Sequence, residues 1–253
     1  MRPAAVVTIH GIRHLPLLED GIPVRVLSTR EVMAAAHSRD RDMWDLTIFA
    51  MAKLAESRDP DTGGHLERVR AYVSALARAL AESGTFSDQM DDEFIALLVA
   101  ASSLHDIGKV GIPDHILLKP GRLDPPEYEI MKTHAAKGAD TLASVLRLFP
   151  DMEFLRMGRD IARHHHERID GTGYPDGLKG TDIPLPARLF AVADVYDALI
   201  GKRVYKEAYS PGLASSTILA GDGTQFDSNV IQAFLRCQTE FERIKQQHEQ
   251  ASS

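Results

Sequence analysis

The sequence contains very little cysteine, since Cys237 is the only one in 253 residues. A single cysteine excludes an intramolecular disulfide framework and a cysteine-rich zinc site, and it is typical of a reducing compartment. Positive charge is in deficit as well, because 29 Lys and Arg residues face 36 Asp and Glu residues, which gives a net charge of −7. We therefore expect no general affinity for nucleic acid or anionic lipid, so an anionic ligand needs a local cationic site.

Long apolar runs are scarce too. No segment of the sequence approaches the roughly 20 apolar residues that span a bilayer. The apolar stretch near the N-terminus is broken by His10, Arg13 and His14, which makes it a poor signal peptide. The sequence therefore predicts a cytoplasmic protein without a membrane segment.

Helical periodicity is what the sequence has in abundance. Apolar residues recur at helical spacing from residue 42 onward, and prolines and glycines separate the runs. The first 40 residues instead contain two short candidate strands, 5–9 and 24–27, around a Gly-Ile-Pro turn. We expect an N-terminal extension over residues 1–40 and an all-α domain over residues 41–253. The predicted helices are about 42–59, 65–84, 91–106, from 127 onward, 152–167, 186–199, 211–220 and 228–246.

Eleven histidines are present, and several stand beside carboxylates near predicted helix ends. Histidine and carboxylate form the ligand set of iron, manganese and zinc sites that keep open positions. Each histidine alone has a plainer interpretation as an ordinary core or surface residue. Because four helical segments each offer one, the pattern favours a metal site. The residues concerned are His65 (four after Asp61), the pair His105–Asp106, His134, the run His164–His166, and Asp194.

The adjacent pair His105–Asp106 has a physical interpretation of its own. Neighbouring residues on a helix diverge by about 100°, so the two side chains can serve two metals, or one can bridge while the other binds terminally. Gly108 lets the chain turn close to such a site, and Lys109 can reach a phosphate as a point charge.

Two longer segments carry a family resemblance. HDIGKVGIPDHILLKPGRL (residues 105–123) and HHERIDGTGYPDGLKG (residues 165–180) resemble the core motifs of the HD-GYP phosphohydrolases. The second contains the Gly173-Tyr174-Pro175 triplet that matches the family's name. ADVYDAL (193–199) and RVYK (203–206) extend the match, which covers about residues 43–234.

The resemblance implies an HD-superfamily helical bundle with a glycine-rich GYP loop. It implies hydrolysis of cyclic di-GMP to pGpG, GMP or both through a metal-activated bridging hydroxide, with two or three divalent ions, iron or manganese. Lys109 matches the family's catalytic lysine, and Asp106 matches the carboxylate that bridges two metals. Tyr174, Arg203 and Lys206 match positions that contact the dinucleotide. The implied metal ligands are Asp61, His65, His105, Asp106, His134, His165, His166 and Asp194.

The sequence departs from the family pattern at two positions. Asp61 stands where the pattern often has glutamate, and a carboxylate one methylene shorter leaves two versus three metals open. Ile169 replaces the usual aromatic residue before Asp170, which we expect to affect loop packing. The loop also has a plain interpretation, because glycine and proline make tight turns without any function.

Several functional alternatives stay open. One is a catalytically weak cyclic di-GMP receptor or protein-docking module. Another is an HD phosphohydrolase that acts on a different nucleotide. The partners we expect are cyclic di-GMP, a diguanylate cyclase-type protein that binds the GYP loop, and a second copy of the chain in a homodimer.

Overall fold

A computed structural model describes residues 14–19, 22–28, 45–58, 64–86, 88–201 and 208–251. The chain divides into two compact units, Met1–Ala50 and Met51–Ser253. The first unit contains an antiparallel pair of strands, β1 (His14–Glu19) and β2 (Ile22–Ser28), whose register shifts between Leu17 and Leu18. The predicted strand at 24–27 falls within β2, whereas the one at 5–9 lies outside the described residues.

The second unit is built from helices, which confirms the predicted all-α class of this part of the chain. Two 3-10 turns, Ile107–Gly111 and Gly180–Asp182, interrupt the series. Helix α1 (residues 45–56) begins in the first unit and ends in the second. The helices that follow are α2 (His65–Glu82), α3 (Asp92–Ser102), α4 (Asp114–Leu117), α5 (Pro125–Leu146), α6 (Glu153–His164), α7 (Leu185–Ile200), α8 (Pro211–Ala220) and α9 (Ser228–Ala251).

Helix α7 lies at the centre of the hydrophobic core. Its buried residues lie on every side of the helix, from Ala187 through Phe190 to Tyr196, which is the pattern of a helix surrounded by neighbours. Tyr72 of α2 stacks on Phe241 of α9 at a ring-centroid distance of 4.6 Å, and Tyr196 meets Phe241 edge-on at 5.0 Å. These interlocked aromatic rings fix α2, α7 and α9 to one another.

Helix ends differ from the periodicity-based bounds where capping or tertiary contacts intervene. Helix α5 begins at Pro125 because Asp124 and Glu127 form a reciprocal capping box. Helix α3 ends at Ser102, four residues before the predicted end at Asp106, and the chain continues as a 3-10 turn that packs on α5.

One stretch has the length and apolar character of a membrane span. Asp92–Gly111 covers 20 residues at a mean hydropathy of 1.3, and 44% of it is buried inside the fold. The expectation that no segment approaches this length was therefore too strong. The stretch includes α3, whose Ile95, Leu98 and Ala101 lie in the core, and buried core helices commonly have this composition.

Candidate metal centre

The turn after α3 carries His105, Asp106 and Lys109 against the middle of α5, at His134 and Gly138. Gly108 allows this approach, because a Cβ atom there would lie 2.0 Å from the carbonyl oxygen of His134. As a result the Asp106 Oδ1 atom lies 3.3 Å from His134 Nε2. The Lys109 Nζ atom lies 2.8 Å from Asp106 Oδ2. The adjacent residues of the motif thus meet a histidine from another helix.

Histidines from four parts of the chain gather here in two clusters. In each cluster the potential ligand atoms lie within 4.8 Å of one another. The first cluster is Glu56, His65 and His105, and the second is His134, His165 and His166.

Asp106 lies between the two clusters. Its Oδ2 is 3.2 Å from His105 Nε2 in the first cluster, and its Oδ1 is 3.9 Å from His165 Nε2 in the second. Asp194 on α7 adds a further carboxylate, with Oδ1 3.8 Å from His65 Nε2. One carboxylate that faces two groups of histidines is the arrangement expected of a ligand that bridges two ions.

The orientation of the histidines fits divalent transition metals. Four of them direct Nδ1 at an acceptor outside the clusters, so the lone pair of the neutral ring is at Nε2, which points inward. The acceptors are Ser102 O for His105 (3.0 Å), Met131 O for His134 (2.7 Å), Ile161 O for His165 (3.0 Å) and Asp197 Oδ2 for His65 (2.8 Å).

Beside the first cluster, neighbouring charges shift the pKa values of His105 and Asp106. Burial raises the pKa of Asp106, but the positive charges of Lys109 and His105 outweigh burial and hold that pKa well below its usual range. Burial lowers the pKa of His105, yet the carboxylate of Asp106 outweighs it and raises this pKa to about 9. In the metal-free protein His105 is therefore protonated at neutral pH, and it must lose that proton to bind an ion.

In the second cluster the pKa values of all three histidines are lowered, unlike that of His105 in the first cluster. Burial, together with the neighbouring His134, lowers the pKa of His166 to about 4. Burial and the neighbouring His166 likewise bring the pKa of His165 well below its usual value. Burial also lowers the pKa of His134, against the opposing pull of Asp106. At neutral pH this cluster presents three neutral imidazoles, the form that binds metal.

Two carboxylates of the site were missed by sequence reasoning. Glu56 stands nine residues before His65, a separation that no helical spacing rule singles out. Asp197 is held by Arg68, whose Nε donates to Asp197 Oδ1 at 2.7 Å, and it orients His65 through the hydrogen bond to Nδ1. A signal for Asp197 was available, because it lies three residues after Asp194 on the same face of α7.

The GYP loop (residues 170–178) lies beside the second cluster. The Tyr174 ring stacks on the His166 ring with centroids 4.7 Å apart and planes at 30°. The Glu167 carboxylate accepts the backbone N–H groups of Asp176 at 2.8 Å and Leu178 at 3.1 Å. Gly173 is required, because a Cβ there would lie 2.4 Å from the Glu167 Cα atom. The loop is therefore a tight turn that also contacts the candidate site.

A cavity of about 1240 Å³ opens over both clusters. Asp106, His134 and Tyr174 are among its lining residues. It also has a cationic lining that sequence reasoning largely missed. The cationic side chains are Arg68, Lys109, Lys119, Arg122 and Arg168, and Lys119 and Arg122 belong to the motif-like segment 105–123.

The structure therefore brings together six of the predicted ligands and the predicted lysine around one cavity, with Asp194 at the side of the first cluster. Three predicted site residues, Asp61, Arg203 and Lys206, lie outside the described residues.

Comparisons with known proteins place the chain in a family. Residues 50–230 match the family model described as HD domain. The chain is 48% identical over 200 residues to a cyclic di-GMP phosphodiesterase of Vibrio cholerae serotype O1, an alignment that covers 79% of this chain and 41% of that protein. It is 36% identical over 198 residues to the 3′3′-cGAMP-specific phosphodiesterase 2 of the same organism, which covers 78% of this chain and 35% of that protein.

A solved structure has a similar fold. It is Bd1817, an HDG"Y"P protein from Bdellovibrio bacteriovorus, which matches with a TM-score of 0.51 and 20% identity over 77% of this chain and 62% of that one. This similarity supports the helical fold alone. The chain spans less than half the length of the two curated relatives named above.

Proposed function

Because this chain belongs to the HD-GYP branch of the HD-domain family, we propose that it is a metal-dependent phosphodiesterase that hydrolyses cyclic di-GMP to pGpG, GMP or both. The observation that carries the proposal is the position of Asp106, whose two carboxylate oxygens face different histidine clusters. A carboxylate placed in this way could be shared by two ions, and two-ion sites stabilise both the attacking and the leaving oxygen when a phosphoester is hydrolysed.

The ions we propose are iron or manganese, as the family resemblance implies, and a donor set of imidazole and carboxylate without thiolate is compatible with both. His65, His105 and Asp194 would hold one ion, and His134, His165 and His166 the other, with Asp106 shared. When bound, such ions supply an activated water and neutralise charge on the phosphate. For four of the five histidines, the outward Nδ1 hydrogen bond would keep Nε2 directed at the ion.

Lys109 is proposed to act on the phosphodiester itself. Its ammonium group lies 2.8 Å from Asp106 Oδ2, which fixes it at the edge of the metal centre. Hydrolysis adds one water across the P–O3′ bond, so the hydroxyl goes to phosphorus and a proton to the leaving 3′-oxygen. The Lys109 ammonium stabilises the developing negative charge and can deliver that proton.

Recognition of the dinucleotide is proposed to combine stacking and charge. Tyr174 offers an aromatic ring at the cavity wall, and the resemblance assigns base and phosphate contacts to Arg203 and Lys206. Lys119 and Arg122 also line the cavity. Cyclic di-GMP has two phosphates, so a chain with a net charge of −7 needs these local cations to hold it.

A hydrolysis assay tests the proposal. Protein purified without oxygen and loaded with Fe²⁺ or Mn²⁺ is incubated with cyclic di-GMP, and products are separated by chromatography. We expect pGpG or GMP, and we expect the His105→Ala/Asp106→Ala double variant to lose both hydrolysis and bound metal. Intact cyclic di-GMP after incubation with metal-loaded wild-type protein would refute the proposal. If that protein binds cyclic di-GMP without turnover, the receptor hypothesis replaces it.

A second candidate substrate is 3′3′-cGAMP, because one relative of 36% identity is named as specific for it. The same assay run with both dinucleotides decides between them by the ratio of kcat/KM values. We further propose a cytoplasmic protein in which residues 1–40 form an extension and 41–253 the catalytic domain. A diguanylate cyclase-type partner at the GYP loop and a homodimer belong to the same proposal.

A further inference from the structure

We propose that Glu56, at the end of α1, is a direct ligand of the ion held by His65 and His105. This inference rests on the proposed metal-dependent function. A Glu56 carboxylate oxygen and the ring nitrogens of the two histidines lie within 4.8 Å of one another, close enough to share one ion. The Glu56 side chain points inward, because the residue is only 7% exposed.

The chain around Glu56 is fixed on both sides. Before it, Lys53 Nζ lies 2.8 Å from Glu67 Oε2 on α2. After it, the Arg58 guanidinium donates to the Val110 carbonyl oxygen at 2.8 Å and pairs with Asp114. Because Val110 belongs to the 3-10 turn that also carries Lys109, these contacts tie the end of α1 to the metal-binding turn. The position of Glu56 beside the histidines is therefore part of the packed structure.

With Glu56 included, the two clusters differ in their ligand types. The second cluster offers three histidines, and the first offers two histidines and one carboxylate. With Asp194 and the shared Asp106, the first ion would then have two imidazole and three carboxylate ligands, donors that iron and manganese both bind. A buried carboxylate also costs free energy that a divalent ion compensates. Glu56 would thus add a second unshared carboxylate to the first ion beside Asp194, while Asp106 is shared with the second cluster.

Metal titration tests this assignment without using activity. The wild-type chain, Glu56→Gln and the control Glu82→Gln are stripped of metal, and Mn²⁺ binding is followed by the electron paramagnetic resonance of the free ion and by elemental analysis. We expect Glu56→Gln to lose one ion per chain or to bind it at least about tenfold more weakly. The control removes an exposed glutamate at the end of α2 that lies outside both clusters, so it should bind as the wild type does.

Double variants identify which ion is affected. If Glu56 and His65 bind the same ion, adding His65→Asn to Glu56→Gln should reduce binding little further. Adding His134→Asn should instead remove the remaining ion, because that residue belongs to the other cluster. Glu56→Asp keeps the charge on a shorter side chain, and we expect it to recover part of the lost affinity.

Wild-type stoichiometry and affinity in folded Glu56→Gln, with folding checked by circular dichroism, would overturn the assignment. Loss of the ion in Asp61→Asn but not in Glu56→Gln would overturn it as well. If Glu56→Gln does not fold, the titration of Glu56→Asp decides, and unchanged affinity there counts against a ligand. Hydrolysis of cyclic di-GMP is measured on the same wild-type preparation. A chain that binds metal and leaves the dinucleotide intact refutes the proposed function while the Glu56 result stands.

Discussion

The metal-binding turn (residues 105–111) packs on α5 at Gly108, and one added methyl group there tests how the site is assembled. In Gly108→Ala the new Cβ would lie 2.0 Å from the His134 carbonyl oxygen and 2.5 Å from the Gly138 nitrogen. Both are backbone atoms, which cannot rotate out of the way as the end of a side chain can. The turn must therefore move away from α5.

The size of the effect follows from these distances. Ordinary contact begins at 3.4 Å, so the gap to 2.0 Å requires a shift of roughly 1.4 Å. Overpacking of this kind costs about 1–3 kcal/mol, which lowers the Tm of a domain this size by roughly 2–12 °C. The shift also separates Asp106 from His134, now 3.3 Å apart, and a displacement of about 1 Å can cost on the order of 100-fold in rate.

Thermal unfolding is measured on Gly108→Ala beside Gly121→Ala, and hydrolysis is measured on Gly108→Ala beside the wild type. The second variant is the control, because a Cβ at Gly121 meets no atom within 4 Å. Unfolding is recorded with chelator and with Mn²⁺, since a bound ion stabilises the fold by mass action and separates packing effects from metal effects. We expect Gly108→Ala to lose Tm in chelator and to gain less than the wild type from added Mn²⁺.

The opposite result would refute this account of the site. A Gly108→Ala protein with the Tm and the metal response of Gly121→Ala and the hydrolysis rate of the wild type would mean that the turn does not pack on α5 as described. That result would also mean that packing at Gly108 does not bring Asp106 close to His134.

Three further outcomes follow from the site. Asp197→Asn weakens the acceptor that orients His65, so we expect about 10–100-fold weaker Mn²⁺ binding, and unchanged affinity would contradict that role. Because the pKa of His105 is about 9 in the metal-free protein, ion binding at pH 7 should release about one proton from it, falling to none well above pH 9. Calorimetry in two buffers of different ionisation enthalpy measures this release, and no release at pH 7 would refute it. Glu167→Gln should raise KM by loosening the loop that carries Tyr174 while metal content stays unchanged, and lost metal would contradict this.

Much of the local structure was readable from the sequence. The apolar stripe of α2 predicted a helix at 65–84, and the structure has it at His65–Glu82. The stop of α3 at Ser102 was not readable, because it depends on the turn packing against α5, which is distant in the chain. Periodicity reports which face of a helix is buried, and it carries no information on what that face meets.

The sequence by itself determined the helical class, the family and most of the candidate ligands, because ordered motifs such as His105–Asp106 are local patterns. The tertiary structure decided which side chains meet. It set the two oxygens of Asp106 against different clusters, brought Glu56 to the first of them, and placed Asp197 behind His65 from 132 residues away. The physical reason is that the metal ligands come together only where separate helices pack. Nothing in the sequence of α2 or of α7 alone shows that these two helices pack on each other.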